Sequence, residues 1–202
     1  MSHDDYKLEF TLTGHTGTIT ALEFSPDSRF LASGSNHGVL LLFSTSTWRP
    51  LKRLIDASPI TTIVWHSENR YLLLCGCESG DLYFLSLKES LVRPLLPDAL
   101  PEAVTANKQE IVIDSTSYFD GPIRSLSLLP ETSALAVGHG EDVSVAKIKS
   151  SPYGLDDAKD LLPKPPSHVQ SSTRKQSKRI AMSLHFLDKN QLVVTYLDHG
   201  IV

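Results

Sequence analysis

The sequence predicts an all-β chain built of four-stranded antiparallel sheets set radially, about three and a half of them. Three observations predict it. A unit of strands and turns returns four times, the first two copies 41 residues apart (Ile19 to Ile60). Within each copy, strand-sized apolar runs alternate with polar turns rich in Pro, Asp, Asn, Ser and Gly. The longest apolar runs, such as "VLLLF" and "YLLLC", are no longer than a strand.

Copy one begins at Ile19. Its first strand, "ITALEF", places Ile19 and Ala21 on one side and Leu22 and Phe24 on the other, so both faces are expected to be buried. "SPDS" follows as a turn: Pro fixes φ, and Asp and Ser bond to the local backbone. "RFLASG" is the second strand. Asn36-His37-Gly38 is a tight turn in which Gly accepts positive φ. "VLLLF" is the third strand and "RPLKRLI" the outer one.

Copy two repeats this order. Phe24 corresponds to Trp65, Phe30-Leu31 to Tyr71-Leu72, and, after one extra residue, Gly38 to Gly80. Its outer strand is expected within 91–119, where "EIVIDSTSYF" is rich in β-formers. Copy three starts at Ile123, with Pro26 on Pro130, Leu31 on Leu135 and Gly34 on Gly138. Copy four starts near Ala181, with Leu22 on Leu184, Phe24 on Phe186 and the pair His37-Gly38 returning as His199-Gly200.

On Gly14-His15, "SPDSRFLASGS" and the turn at Asn36-His37-Gly38, the sequence resembles the WD40-repeat family. The resemblance is clearest over residues 6–88 and weaker over 120–148 and 179–202. It implies a β-propeller, here incomplete, with repeats at about 12–56, 57–119, 120–178 and 179–202 and loop insertions at about 88–109 and 149–178. It implies structural roles for Gly14, His15, Gly38, Gly80 and Gly200, and an N-terminal strand at about 6–12 completing the outer edge of the last sheet in a closed ring. The departures are equally plain. Asp56-Ala57 and Asp120-Gly121 stand where Gly-His is expected, and Phe43-Ser44 and Leu85-Ser86 stand where the family ends a repeat with Trp-Asp. Where family members carry an Asp that bonds the His, this chain has His37 and Ser79, so the sheets are expected to depend on apolar packing. The sequence ends inside the third strand of copy four. The expectation is a front part of a longer propeller, whose bare strands would pair in trans.

A net charge of −4 and 21% charged residues point to no polyanionic partner, and nucleic acid and membrane are not expected as partners. The N-terminus "MSHDDYKLEF" lacks a secretory signal pattern. Cys75 and Cys77, two apart on a strand, read as small core residues rather than metal ligands. No nucleophile elbow, phosphate loop or H-E-x-x-H helix occurs, and "GHGED" at 138–142 lies between strands. No catalytic residue, cofactor site or metal site is expected. His66 and His185, at the ends of first strands, read as polar edge residues. "RKQSKR" at 174–179 reads as a solvated loop in which Ser177 is a candidate phosphorylation site.

The implied function is a protein–protein interaction scaffold or adaptor without chemistry of its own, cytoplasmic by default and binding other proteins or peptides within a multi-protein complex. If turns on the narrow face bind, the candidates are Thr16, His37, Ser58, Ser79, Asp120, Glu141, Asp198 and His199. The alternatives are a truncated product without independent function, or part of a propeller enzyme whose site lies in further sheets.

Overall fold

The computed structural model describes residues 7–55, 58–87, 111–150, 153–156, 159–160, 180–197 and 200–201. Asp198, His199 and Ser177 lie outside the described residues, as do Asp56-Ala57 and 88–109. The described residues form four antiparallel sheets, which is the all-β, unclosed propeller arrangement expected. The first contains β1 (Ile19–Phe24), β2 (Phe30–Ser35), β3 (Val39–Ser44) and β4 (Pro50–Ile55). The second contains β5 (Ile60–Trp65), β6 (Leu72–Cys77), β7 (Asp81–Leu87) and β8 (Ile111–Tyr118). The third contains β9 (Ile123–Leu129), β10 (Ala134–His139) and β11 (Asp142–Ser150), flanked by β12 (Tyr153–Leu155) and β13 (Lys159–Asp160). The fourth contains β14 (Ala181–Asp188), β15 (Gln191–Tyr196) and β16 (Gly200–Ile201).

The turn between the first two strands of each sheet is built differently from copy to copy. In the first sheet Ser28 takes φ 57° and the Ser25 hydroxyl accepts the Phe30 N–H at 3.0 Å while donating to Asp27 at 2.8 Å. In the second sheet His66 stands in the place of Ser25. Its Nδ1 accepts the backbone N–H groups of Asn69 (3.1 Å) and Glu68 (3.3 Å), and the ring is buried. His66 is thus an internal turn clamp, a correction to its reading as a polar edge residue. In the third sheet Pro130–Thr132 form a 3-10 turn closed by Ser133 in the left-handed region.

The phase of the first strands also differs from simple alternation. Each carries a bulge at its second residue: Thr20, Thr61, Arg124 and Met182. A bulge shifts the alternation by one residue. Ile19, Leu22 and Phe24 therefore share one face, and Ala21 packs on the other. We call the face turned to the preceding sheet the leading face and its opposite the trailing face. Ile60, Ile63 and Trp65 of the leading face pack on Phe30, Ala32, Leu40 and Leu42 of the first sheet's trailing face. Ile123 and Leu126 pack likewise on Leu72, Leu74, Leu82 and Phe84, and Ala181 and Leu184 on Ala136 and Val143. Cys75 and Cys77 are buried thiols in the first of these cores.

Three expectations are corrected. The leading side of β1 is not buried: Ile19, Leu22 and Phe24 are 53%, 56% and 50% exposed, because among the described residues no sheet packs on it. Residues 7–12 form no strand; this segment lies over the leading side of β2 and β3, where Leu12 joins Leu31, Val39, Leu41 and Phe43, and Phe10 meets Trp48. The insertion read as a loop from 149 onward begins as structure. β11 runs to Ser150, and β12 and β13 both pair with it; Tyr153 and Leu155 of β12 are held there by packing on the core between the second and third sheets.

Candidate functional site

The rim of the fold is made where the chain enters each first strand beside the turn joining the second and third strands. One backbone bond recurs there in all four sheets. Asn36 N donates to Thr18 O (3.0 Å), Glu78 N to Pro59 O (2.9 Å), Gly140 N to Pro122 O (3.0 Å) and Leu197 N to Ile180 O (2.9 Å). This bond fixes an entry residue next to a turn residue in every copy, so the rim is a row of paired loops on rigid strands.

Four of the candidate residues meet in such pairs, Thr16 with His37 and Ser58 with Ser79. Thr16 Oγ1 lies 3.4 Å from His37 Nδ1. Gly17 makes that approach possible, since a Cβ there would sit 2.3 Å from Asn36 Oδ1 and 2.7 Å from His37 Cγ. Ser79 N donates to Ser58 Oγ at 2.9 Å, and the Ser79 hydroxyl donates to Asp81 at 2.6 Å. Asp120 gives its carbonyl to the His139 ring at 3.1 Å, and a Cβ at Gly121 would sit 2.9 Å from Gly140 Cα, next to Glu141 in the chain. Asp198 and His199 belong to the fourth turn, outside the described residues. His15 Nε2 lies 2.8 Å from Ser33 Oγ, which ties the entry loop of the first sheet to β2. Burial lowers the His15 pKa, opposed by the bond to Ser33 and aided by the Arg53 charge. Burial also lowers the pKa of His66, with Glu68 opposing.

The opposite rim holds a cleft that sequence reasoning missed. Pro26 and Asp27 of the first turn face Ser67, Glu68, Asn69, Arg70 and Tyr71 of the second across an open hollow. Arg70 donates to the Tyr71 hydroxyl (2.7 Å) and to Asp27 (3.4 Å), and Asn69 donates to the Tyr153 hydroxyl of the third sheet at 2.7 Å. The signal was present as opposite charges in equivalent turns of adjacent copies, Asp27 and Arg70. Among the described residues no group of three His, Cys, Asp or Glu side chains is placed to hold a metal, and no helix is long and apolar enough to cross a membrane.

The pattern of the WD domain, G-beta repeat, matches residues 6–44. The chain is 35% identical over 101 residues to the small ribosomal subunit protein RACK1z of Arabidopsis thaliana, covering 50% of this chain and 31% of that protein. It is 29% identical over 121 residues to the small ribosomal subunit protein RACK1 of Candida albicans, covering 58% and 38%. The chain thus spans about a third of the length of these relatives. Among solved structures, it superposes on the RRP9 WD40 repeats with a TM-score of 0.62 at 15% identity, covering 91% of this chain and 46% of that one. It also superposes on the computationally designed Ika4 protein with a TM-score of 0.59 at 17% identity, covering 95% and 93%.

Proposed function

We propose, on the premise that a chain with a WD repeat at residues 6–44 and the fold of the WD40 propellers is a divergent WD40-repeat protein, that it serves as a protein-interaction scaffold and binds through the paired-loop rim. The observation that carries this reading is the recurring rim bond. It holds an entry loop against a turn in each of the four sheets, a repeated arrangement of surface loops that suits recognition of a protein or peptide surface. The scaffold performs no catalysis, takes no cofactor and works in the cytoplasm. The names of its RACK1 relatives make the small ribosomal subunit the first partner to test.

The experiment is co-sedimentation of the purified chain with salt-washed small ribosomal subunits, alongside quantitative affinity capture from cytoplasm. Wild type is compared with the double variant His37→Glu, Ser79→Lys. The double variant is expected to lose its captured proteins while keeping its unfolding midpoint. If both proteins capture the same set with equal affinity, the rim is not the binding face. If neither sediments with subunits, the ribosomal partner is rejected and the scaffold reading rests on capture alone.

A further inference from the structure

The cleft between the turns of the first two sheets has two walls, each fixed from within. The first wall is the turn after β1. There Asp27 Oδ1 accepts the Ser25 hydroxyl at 2.8 Å and the Arg29 N–H at 3.2 Å. The second wall is the turn after β5. It is pinned by His66 Nδ1, which accepts the N–H groups of Glu68 and Asn69, and by Asn69 Oδ1, which accepts the Tyr71 N–H at 3.1 Å. Between the walls lies a hollow of about 340 Å³, at the lower end of the range for binding pockets. It has room for one long side chain rather than a cofactor.

Three charged residues line the hollow: Asp27, Glu68 and Arg70. Two carboxylates against one guanidinium leave an excess of negative charge. Arg70 is divided among its contacts. It donates to the Tyr71 hydroxyl at 2.7 Å, lies 4.9 Å from the centre of the Tyr71 ring, and reaches Asp27 Oδ2 only at 3.4 Å. Charge-assisted N–H···O bonds close at about 2.7–2.9 Å, so Asp27 Oδ2 is under-paired. The Asp27 side chain is only 22% exposed. A carboxylate so withdrawn from water gains more from a second cation than a fully solvated one does. On the facing wall Glu68 is exposed, and its carboxylate makes no hydrogen bond or ion pair among the described residues. An anion entering the hollow would meet Arg70 but also both carboxylates.

The adjoining junction shows a side chain seated against the same turn. There Tyr153 of β12 packs on the core between the second and third sheets, and its hydroxyl accepts from Asn69 at 2.7 Å. Towards the first sheet the turn faces the open hollow.

We infer that this hollow is a docking site for a lysine or arginine side chain carried on an extended segment of a partner protein. The stem of that side chain lies between Pro26 and Tyr71, and its charged head bridges Asp27 Oδ2 and Glu68. Arg70 is the built-in competitor: it holds Asp27 loosely in the free protein and gives way to the incoming cation. The site lies on the rim opposite the paired loops, so a scaffold that binds through those loops keeps this face for a second partner. The inference does not depend on the paired-loop reading.

The test follows backbone amide shifts of the whole chain by NMR. The probes are acetyl-Ala-Lys-Ala-amide and its Arg, norleucine and Glu counterparts. The Lys and Arg probes are expected to shift the amides of Asp27, Glu68 and Arg70 saturably, and the norleucine and Glu probes are not. Glu68→Gln, at an exposed position, is expected to weaken the Lys and Arg probes about two- to fivefold, the range of one exposed charge pair. Arg70→Gln is expected to tighten them, because the competitor for Asp27 is gone. If the Glu probe binds more tightly than the basic ones, or Arg70→Gln weakens the basic ones, the hollow is an anion site and the inference is overturned. It is equally overturned if norleucine binds as tightly as lysine, if the basic probes shift nothing at their solubility limit, or if Glu68→Gln leaves their affinity unchanged.

Discussion

Gly76 offers the sharpest test of how the sheets are held together. Replacing it with Ala places a Cβ 2.6 Å from Ile123 Cγ2 and 2.9 Å from Thr62 Cγ2, about 0.8 Å inside ordinary contact with the first. Ile123 is fully buried and cannot swing into solvent, so the sheets must separate slightly or Ile123 must leave its rotamer. Overpacking of this kind costs about 1–3 kcal/mol, a fall in unfolding midpoint of roughly 3–10 °C for a chain of this size. Ile123→Ala alone removes buried methyl groups and costs about 2–5 kcal/mol. In the double variant the cavity left by Ile123 receives the new methyl group. The two losses should therefore couple favourably by about 1–2 kcal/mol. The assay is urea unfolding of the four proteins of this cycle, followed by tryptophan fluorescence. A neutral Gly76→Ala, or losses that simply add, would refute the claim that glycine spacing sets the inter-sheet distance.

Further outcomes follow from the same geometry. Tyr153→Phe, which removes the hydroxyl that accepts from Asn69, should cost about 0.5–1.5 kcal/mol by chemical denaturation. Arg70→Ala, which breaks a solvent-screened ion pair with Asp27, should shift the unfolding midpoint only slightly, and less still at high salt. His15 and His66 both have folded pKa values below the ordinary 6.5, so the unfolded chain binds protons first. Their contribution to stability is full above about pH 6.5 and falls as pH drops below it, read as a falling thermal midpoint between pH 7 and pH 5. His66→Ala should flatten that dependence and lower stability at pH 7 by about 1–3 kcal/mol, because two turn N–H groups lose their acceptor.

The repeat was legible in the sequence because each copy keeps its own turns. Pro26, Asn36-His37-Gly38 and Glu78-Ser79-Gly80 punctuate apolar runs of strand length, and this local chemistry fixes the number and order of strands. The phase of the first strands was not legible. Simple alternation puts Ile19 with Ala21, whereas the bulge at Thr20 puts Ile19 with Leu22 and Phe24, and only contact with an adjacent sheet reveals it. The candidate rim pairs could be placed by topology, since turns two strands apart must lie at the same end of a meander. The cleft at Asp27 and Arg70 depends on the offset between neighbouring sheets, a quantity no single copy encodes. His66 escaped for a related reason: an imidazole that clamps a turn looks, in sequence, like any polar residue after a strand.

Every main strand of the sheets pairs with the strand before or after it in the chain, and every inter-sheet core joins consecutive sheets. Such an order of contacts suits folding during synthesis, since each sheet can close its hairpins as it emerges and then serve as the template for the next. Among the described sheets, the strip of Ile19, Leu22 and Phe24 on β1 is made first and is still bare when the others have docked. Such an order opens the risk of misassociation with the first described sheet rather than with the last, since its leading side stays bare while its successors dock.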